Sequence, residues 1–348
     1  MLKPAKTFGF IRTTFIATII FGFACCAAES TPPDAFAINK LIGRGVNLGN
    51  ALEAPKEGDW GVTLEEEYFQ KIKDAGFNSI RLPVRWPIHA GNEPPYTIDP
   101  DFFNRVDWAV KNALSRNLVL IFNMHNYYEI LSDPNGHKER FLGIWKQIAE
   151  HYKDYPQTLL FEPLNEPADK LGLNEWNTLL KEALAVVRQS SPNRIIVIGP
   201  GNYNEVYKLK NLDLPKEDRN IIVTFHYYEP YRFTHQGAPW ITGQDSNSWL
   251  GMKWTGAEEQ KRRIARDFDV AAKWGKENNR PIYVGEFGAY KKADMESRVL
   301  WTRCVAETAA ERGFSMSYWD FCANFALYDT ETKTWHKGLL DAVIPPKQ

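Results

Sequence analysis

Along this chain, short runs of apolar residues alternate with longer stretches in which apolar positions recur every three or four residues. The first pattern suits buried strands, the second amphipathic helices. The apolar runs fall at 43–48, 79–83, 119–123, 159–164, 194–198, 221–226, 282–285 and 315–319. Helical spacing is strongest over 64–75, 103–114, 145–152, 176–187, 263–274 and 299–310, with shorter stretches at 203–210 and 337–342 in the fifth and eighth places. Eight strand–helix units favour a (β/α)8 TIM barrel over a doubly wound open sheet, as a single domain over 35–345. Helix ends agree with this parsing. Asp101 is placed to cap the second helix, and Gly76 and Gly313 each stand where a helix should stop before a strand. One connection stands apart: about 30 residues from Tyr227 to Gly256 lack strong periodicity and carry Tyr227, Tyr228, Tyr231, Phe233, His235, Trp240, Trp249 and Trp254. A loop of that length in a compact barrel is usually functional. It is expected to wall a substrate groove, the alternative being packing on itself.

Two glutamates end or follow apolar runs: Glu166 in Leu159-Leu160-Phe161-Glu162-Pro163-Leu164-Asn165-Glu166-Pro167 and Glu286 in Ile282-Tyr283-Val284-Gly285-Glu286. A single such Glu could equally cap a helix or face solvent. The other strand ends carry Asn50 and Glu53, Arg81, His125 and Asn126, Asn165, His226 and Tyr228, and Trp319. Solvent exposure alone would favour Lys and Glu there rather than His, Asn and Trp. Active sites of this architecture collect at the carboxyl ends of the strands, so the two glutamates are expected to face each other as a paired acid/base and nucleophile.

Composition adds one strong bias. Aromatic residues make up 14%, including 12 Trp, and flat rings with polar neighbours suit the C–H faces of sugars. A formal net charge of −1 gives no general attraction to nucleic acid, and no nucleic-acid partner is expected. Lys3, Lys6 and Arg12, an apolar stretch over 13–23, and the small residues Ala24-Cys25-Cys26-Ala27-Ala28 predict a signal peptide over 1–28, too short in its apolar part to span a bilayer. The expected location is secreted or periplasmic; lipid attachment at Cys25 or Cys26 is an alternative that Phe23 fits poorly. Cys304 and Cys322 would remain, one on a helix and one in a loop, so no disulfide framework is expected. No metal site or cofactor is read from the sequence, which lacks close His-x-His or His-Glu-x-x-His ligand pairs. A monomer is expected.

Ile80-Arg81-Leu82-Pro83, Asn123-Met124-His125, Asn165-Glu166-Pro167, His226-Tyr227-Tyr228, Gly285-Glu286-Phe287-Gly288 and Trp319 occur in that order, and this set resembles glycoside hydrolase family 5, the cellulase family, over nearly all of the chain past the leader. The segments Gly49-Asn50-Ala51-Leu52-Glu53-Ala54-Pro55 and Thr234-His235-Gln236-Gly237-Ala238 are similar to a bacterial endoglucanase subfamily, some members of which also accept mannan. The resemblance implies a retaining endo-β-1,4-glucanase whose partner is a β-glucan or β-mannan polysaccharide or oligosaccharide, with Glu166 as general acid/base and Glu286 as nucleophile. It further implies that Arg81 and Tyr228 hold Glu286, that Asn165 meets the sugar 2-hydroxyl, that His226 lies beside Glu166, and that His125 and Trp319 contact the sugar. Asn50, Glu53, His235 and Trp240 would line flanking subsites. The subfamily usually shows paired histidines after the third strand; here Asn126 follows His125, which puts the range of accepted sugars in question. Two rival readings are a metal-dependent barrel hydrolase using the histidines and glutamates, and a non-catalytic carbohydrate-binding barrel. Retention of both Glu166 and Glu286 argues against the latter.

Overall fold

The computed structural model describes residues 1–7, 9 and 34–346. The chain divides into two compact units, Met1–Thr31 and Pro32–Gln348. The apolar stretch and small-residue run expected of a signal peptide lie outside the described residues. In the second unit eight parallel strands close into a barrel: β1 (Arg44–Asn47), β2 (Ser79–Leu82), β3 (Val119–Asn123), β4 (Leu159–Glu162), β5 (Ile196–Ile198), β6 (Ile221–Tyr227), β7 (Ile282–Phe287) and β8 (Ser315–Tyr318). β1 pairs with both β2 and β8, which closes the ring. A two-stranded antiparallel pair, β9 (Tyr328–Asp329) and β10 (Thr334–Trp335), follows.

The helices are α1 (Ala35–Ile42), α2 (Glu66–Asp74), α3 (Pro100–Ser115), α4 (Tyr128–Ser132), α5 (Pro134–His151), α6 (Leu173–Ser190), α7 (Tyr231–Thr234), α8 (Glu258–Asn278), α9 (Met295–Glu311) and α10 (Lys337–Val343). In the fifth unit the expected helix is a 3-10 helix, Val206–Asn211, because its short sequence buries only Val206 and Leu209. α3 is capped by Asp99, with Pro100 as its first residue; Asp101, the expected cap, instead donates its backbone N–H to Asp99. α2 ends as anticipated, with Gly76 at φ 96° and the Phe77 N–H reaching back to the Ile72 carbonyl.

Alternation along the strands sorts side chains into two environments. Val46, Ile80, Leu82, Leu120, Phe122, Phe161, Ile196, Val223, Phe225, Val284 and Met316 face the helices and share one large apolar cluster with them. Val119, Ile121, Leu160, Val197, Ile222 and Tyr283 face the barrel axis and form a second, smaller cluster with Ala35, Ile38 and Ile42 of α1. The helix missing from the sequence reading therefore plugs the amino-terminal end of the barrel. Towards the other end the axis-facing residues turn polar: Asn47, Arg81, Asn123, Glu162, Thr224 and His226 are all buried. An apolar floor thus supports a polar layer beneath the mouth.

Candidate active site

Arg81 is the centre of that polar layer. It is fully buried, and its guanidinium donates to four side chains at once. Nε and Nη2 reach the two oxygens of Glu162, both at 2.7 Å; Nη1 reaches Asn47 Oδ1 at 2.9 Å and Glu286 Oε1 at 2.6 Å; Nη2 also reaches Asn165 Oδ1 at 2.6 Å. Burial works against charge on Arg81, but the carboxylates of Glu162 and Glu286 outweigh it. A planar fork can satisfy several acceptors in this way where an ammonium cannot. Asn47 in turn donates to the carbonyls of Gly285, Ser317 and Tyr318, tying β1 to the strands that carry the site.

Glu286 reaches the axis through a change of phase in β7. Tyr283 faces inward and Val284 outward, so strict alternation would turn Glu286 towards the helices. The register instead shifts: Val284 pairs with Phe225 and Glu286 with His226, leaving Gly285 as an extra residue on β7. The same extra residue appears against β8, where Val284 pairs with Met316 and Phe287 with Tyr318. This bulge swings Glu286 inward and Phe287 outward. Glycine is required there, because a Cβ on residue 285 would lie 2.7 Å from Thr224 Oγ1 and 3.0 Å from His226 Nε2.

The two carboxylates meet at the mouth. Glu166 lies four residues beyond the end of β4, in the connection that follows, rather than on the strand. Oxygens of Glu166 and Glu286 and a ring nitrogen of His226 all lie within 4.8 Å of one another. His226 Nδ1 is 2.6 Å from Glu166 Oε1 and 3.6 Å from Glu286 Oε2. The Tyr228 hydroxyl donates to Glu286 Oε2 at 2.9 Å. The environments of the two acids differ. Glu286 is 94% shielded with side-chain exposure of 6%, whereas Glu166 keeps 29% of its side chain open to the cleft. Dehydration raises the Glu166 pKa, and the neighbouring Glu286 charge adds to this, partly offset by His226. Dehydration would raise Glu286 too, but His226, Arg81 and the Tyr228 hydroxyl together bring it below the ordinary carboxylate value. Two neighbouring acids pushed in opposite directions are what a proton donor and an ionised partner require.

A cleft of about 1680 Å³ opens over this pair. Asn50, Glu53, His125, Asn126 and Trp319 line it, as do Tyr228, His235 and Trp240 from the long connection. Arg81 and Asn165 stand behind the carboxylates; Asn165 gives its oxygen to Arg81 and keeps its Nδ2 donor. The His125 and Trp319 rings are near-parallel with centroids 5.4 Å apart. Burial brings the His125 pKa down to about 3 and that of His235 to about 4, so both are neutral rings. Glu53 is almost wholly buried, accepts the backbone N–H groups of Asn50 and Ala51, and is raised by burial to about 8. Asn126 donates to the Glu53 carbonyl at 3.2 Å, so one of its N–H groups serves the loop. In the long connection, buried Phe233, Trp249 and Trp254 pack the loop, while exposed Tyr231 and Trp240 line the cleft. Groove wall and self-packing are both present, on different residues.

Several site residues were not anticipated. Glu162 ends an apolar run with its carboxylate inward, and an acid in such a strand needs a buried partner, which Arg81 supplies. Asn204, between β5 and β6, contacts His226. Tyr203 stands near Glu166, whose charge adds to burial and to the Asp169 carboxylate in raising its hydroxyl pKa; Tyr231, already expected in the groove wall, is raised by burial and then by Glu166. Exposed Trp60 and Tyr207 extend the lining. No local pattern marks Asn204, Tyr203, Trp60 or Tyr207, because their connections bring them to the mouth only in three dimensions. Cys304 and Cys322 are both free.

A barrel with a carboxylate pair held this way beneath a ring-lined cleft falls in the class of barrel glycoside hydrolases. The family model for cellulase (glycosyl hydrolase family 5) matches residues 42–325. Endoglucanase H of Acetivibrio thermocellus is 39% identical over 330 residues, covering 91% of this chain and 35% of that protein. Cellulase/esterase CelE of the same organism is 31% identical, covering 87% of this chain and 39% of its own. The chain therefore spans little more than a third of these two relatives. Among solved structures, Thermotoga maritima Cel5A in complex with mannotriose superimposes with a TM-score of 0.87 at 50% identity, covering 89% of this chain and 100% of that one. The same protein has been solved with cellobiose, with the same score and coverage. The chain belongs to the cellulase family, glycosyl hydrolase family 5.

Proposed function

We propose that this protein is a secreted, endo-acting, retaining β-glycanase that cleaves β-1,4-linked glucan backbones and also accepts mannan. The observation that carries the retaining mechanism is the approach of Glu166 and Glu286 within 4.8 Å. Retaining enzymes keep their carboxyls about 5–5.5 Å apart, whereas inverting enzymes leave about 6.5–9.5 Å for a water. Glu166, raised and partly open to the cleft, gives its proton to the departing glycosidic oxygen. Glu286, ionised and aimed by Arg81 and Tyr228, attacks the anomeric carbon and forms a covalent glycosyl-enzyme. Glu166 then takes a proton from water, whose oxygen displaces Glu286 with overall retention. The Asn165 Nδ2 donor is available to the sugar 2-hydroxyl, and the Trp319 and His125 rings offer a flat platform for its C–H face.

Glucan with mannan as the substrate range is supported by the mannotriose and cellobiose complexes of Cel5A and by the name of Endoglucanase H. Secretion is supported by the basic, apolar and small-residue order of residues 1–28. The test is product analysis on a panel of glucans and mannans, with NMR following the anomer first released. The β-anomer is expected first; an α-anomer would end the retaining assignment. Supplying azide to Glu286→Ala should restore turnover as a glycosyl azide, and Glu166→Ala should keep turnover on glycosides with activated leaving groups. Azide rescue confined to Glu166→Ala would reverse the two roles. Among the described residues, Glu166, His226 and Glu286 form a group close enough to ligate an ion, so a metal-dependent reaction is tested directly: full activity after exhaustive chelation dismisses it.

A further inference from the structure

Asn204 is fully buried and is the last of three consecutive non-glycine residues with left-handed backbone, φ 66°, 60° and 53° at Asn202, Tyr203 and Asn204. Asparagine tolerates that conformation better than most residues. Backbone bonds hold it in place, the Tyr203 N–H on the Pro167 carbonyl at 3.1 Å and the His226 N–H on the Asn204 carbonyl at 3.0 Å. Its side chain makes two contacts, both through Nδ2: to the Asn165 carbonyl at 2.5 Å and to His226 Nε2 at 3.3 Å. Its Oδ1 has no partner. The amide orientation follows from the first contact, since turning it over would set Oδ1 against the Asn165 carbonyl, acceptor to acceptor. One Nδ2 hydrogen therefore faces His226 Nε2, which can receive it only through a lone pair.

We propose that Asn204 is a positioning residue that holds His226 as the neutral Nδ1–H tautomer and so keeps the proton of Glu166 on the oxygen facing the cleft. With Nε2 occupied by a donor, the His226 hydrogen sits on Nδ1 and is donated to Glu166 Oε1. An Oε1 that accepts leaves Oε2 to carry the carboxyl hydrogen. A second proton on His226 would set Nε2–H against the Asn204 N–H, and an imidazolium 2.6 Å from Glu166 would favour loss of the proton that Glu166 must donate. The groups facing His226 pull in opposite senses. Burial and the Arg81 charge oppose the imidazolium, but Glu286 and Glu166 favour it and outweigh them, raising the His226 pKa above the ordinary histidine value, while the nearby His125 ring is neutral. Facing Glu166 are His226, Glu286 and Arg81, with the hydroxyls of Tyr203, Tyr228 and Tyr231. Against that pull, the Asn204 N–H aimed at Nε2 is the directional contact that holds His226 neutral.

This inference rests on Glu166 as the acid/base, and the test separates the two. In the full chain with 15N-labelled histidine, long-range 1H–15N spectra read the His226 tautomer directly, with His226→Asn identifying its signals. Protonated Nδ1 and bare Nε2 are expected from about pH 6 to 8, the range over which histidines ordinarily titrate. An Nε2–H tautomer or an imidazolium at neutral pH overturns the proposal, whatever becomes of any variant. Asn204→Asp, which tolerates the same backbone, replaces the donor with an acceptor and admits the imidazolium. The basic limb of kcat/KM on cello-oligosaccharides should then move down by about one pH unit or more. On an aryl glycoside with an activated leaving group, which needs no proton, the limb should stay. An equal loss on both substrates with an unmoved limb would reduce Asn204 to a structural role and sink the idea. If Glu166→Ala lost both activities equally, the acid/base assignment would fail while the tautomer stood on its own spectrum.

Discussion

Replacing Tyr228 by Phe removes one oxygen and leaves the ring in its place against His235 and Phe325. The lost group donates to Glu286 Oε2 at 2.9 Å, and burial together with the two neighbouring carboxylates keeps its own proton in place throughout the working range. A hydrogen bond to a charged acceptor is worth about 1.5–3 kcal/mol, or roughly one to two pKa units on the acceptor. Arg81 still holds the other oxygen and His226 Nδ1 lies 3.6 Å away, so the lower end, about one unit, is expected. The Glu286 pKa is depressed in the folded protein and rises in the variant. The acidic limb of kcat/KM should therefore move to higher pH by about one unit. Stability follows the same sign. A depressed carboxylate stabilises the fold above its unfolded pKa of about 4.3, and that contribution is lost as pH falls through the folded value. Tyr228→Phe should thus be less stable by about 1–2 kcal/mol at pH 7, with the deficit shrinking in acid. Activity against pH and thermal melting from pH 3 to 7 read both. An unmoved acidic limb with a deficit constant across that range would show that the hydroxyl does not hold charge on Glu286.

Arg81→Leu should be far more costly, because it leaves Glu162 and Glu286 buried beside each other without their cation. A loss of about 3–5 kcal/mol is expected, readable as a melting temperature lower by roughly 10 °C, and an unchanged melting temperature would contradict the hub role. Gly285→Ala should lose most activity through displacement of His226 and Glu286, with crystallography or histidine chemical shifts reporting the movement; full activity would mean the bulge is not needed to aim Glu286. Trp319→Ala should raise KM on oligosaccharides more than it lowers kcat on small aryl glycosides, and an equal effect on both would remove the ring from substrate binding.

The amino-acid sequence by itself determined the repeating unit and most of the chemistry. Eight apolar runs separated by helical spacing can bury their surfaces only as a covered parallel sheet, and the residues following those runs are the ones a barrel gathers at its mouth. His125, Glu166, His226, Tyr228, Glu286 and Trp319 were legible because each ends or follows an apolar run and falls within a short motif, although the phase of the strand did not fix their direction. α1 was not legible, since its role as the barrel floor depends on packing against strands that lie far along the chain. The bulge at Gly285 was equally hidden, although it reverses the direction of Glu286, because register is a property of paired strands and not of one. Tertiary structure alone decided that Glu162 and Glu286 share one guanidinium, that Asn204 reaches His226, and that Tyr203 and Tyr231 stand by Glu166. These contacts join residues from separate connections, and a buried charge or amide declares its partner only when water has been excluded and the partner is the group left to satisfy it.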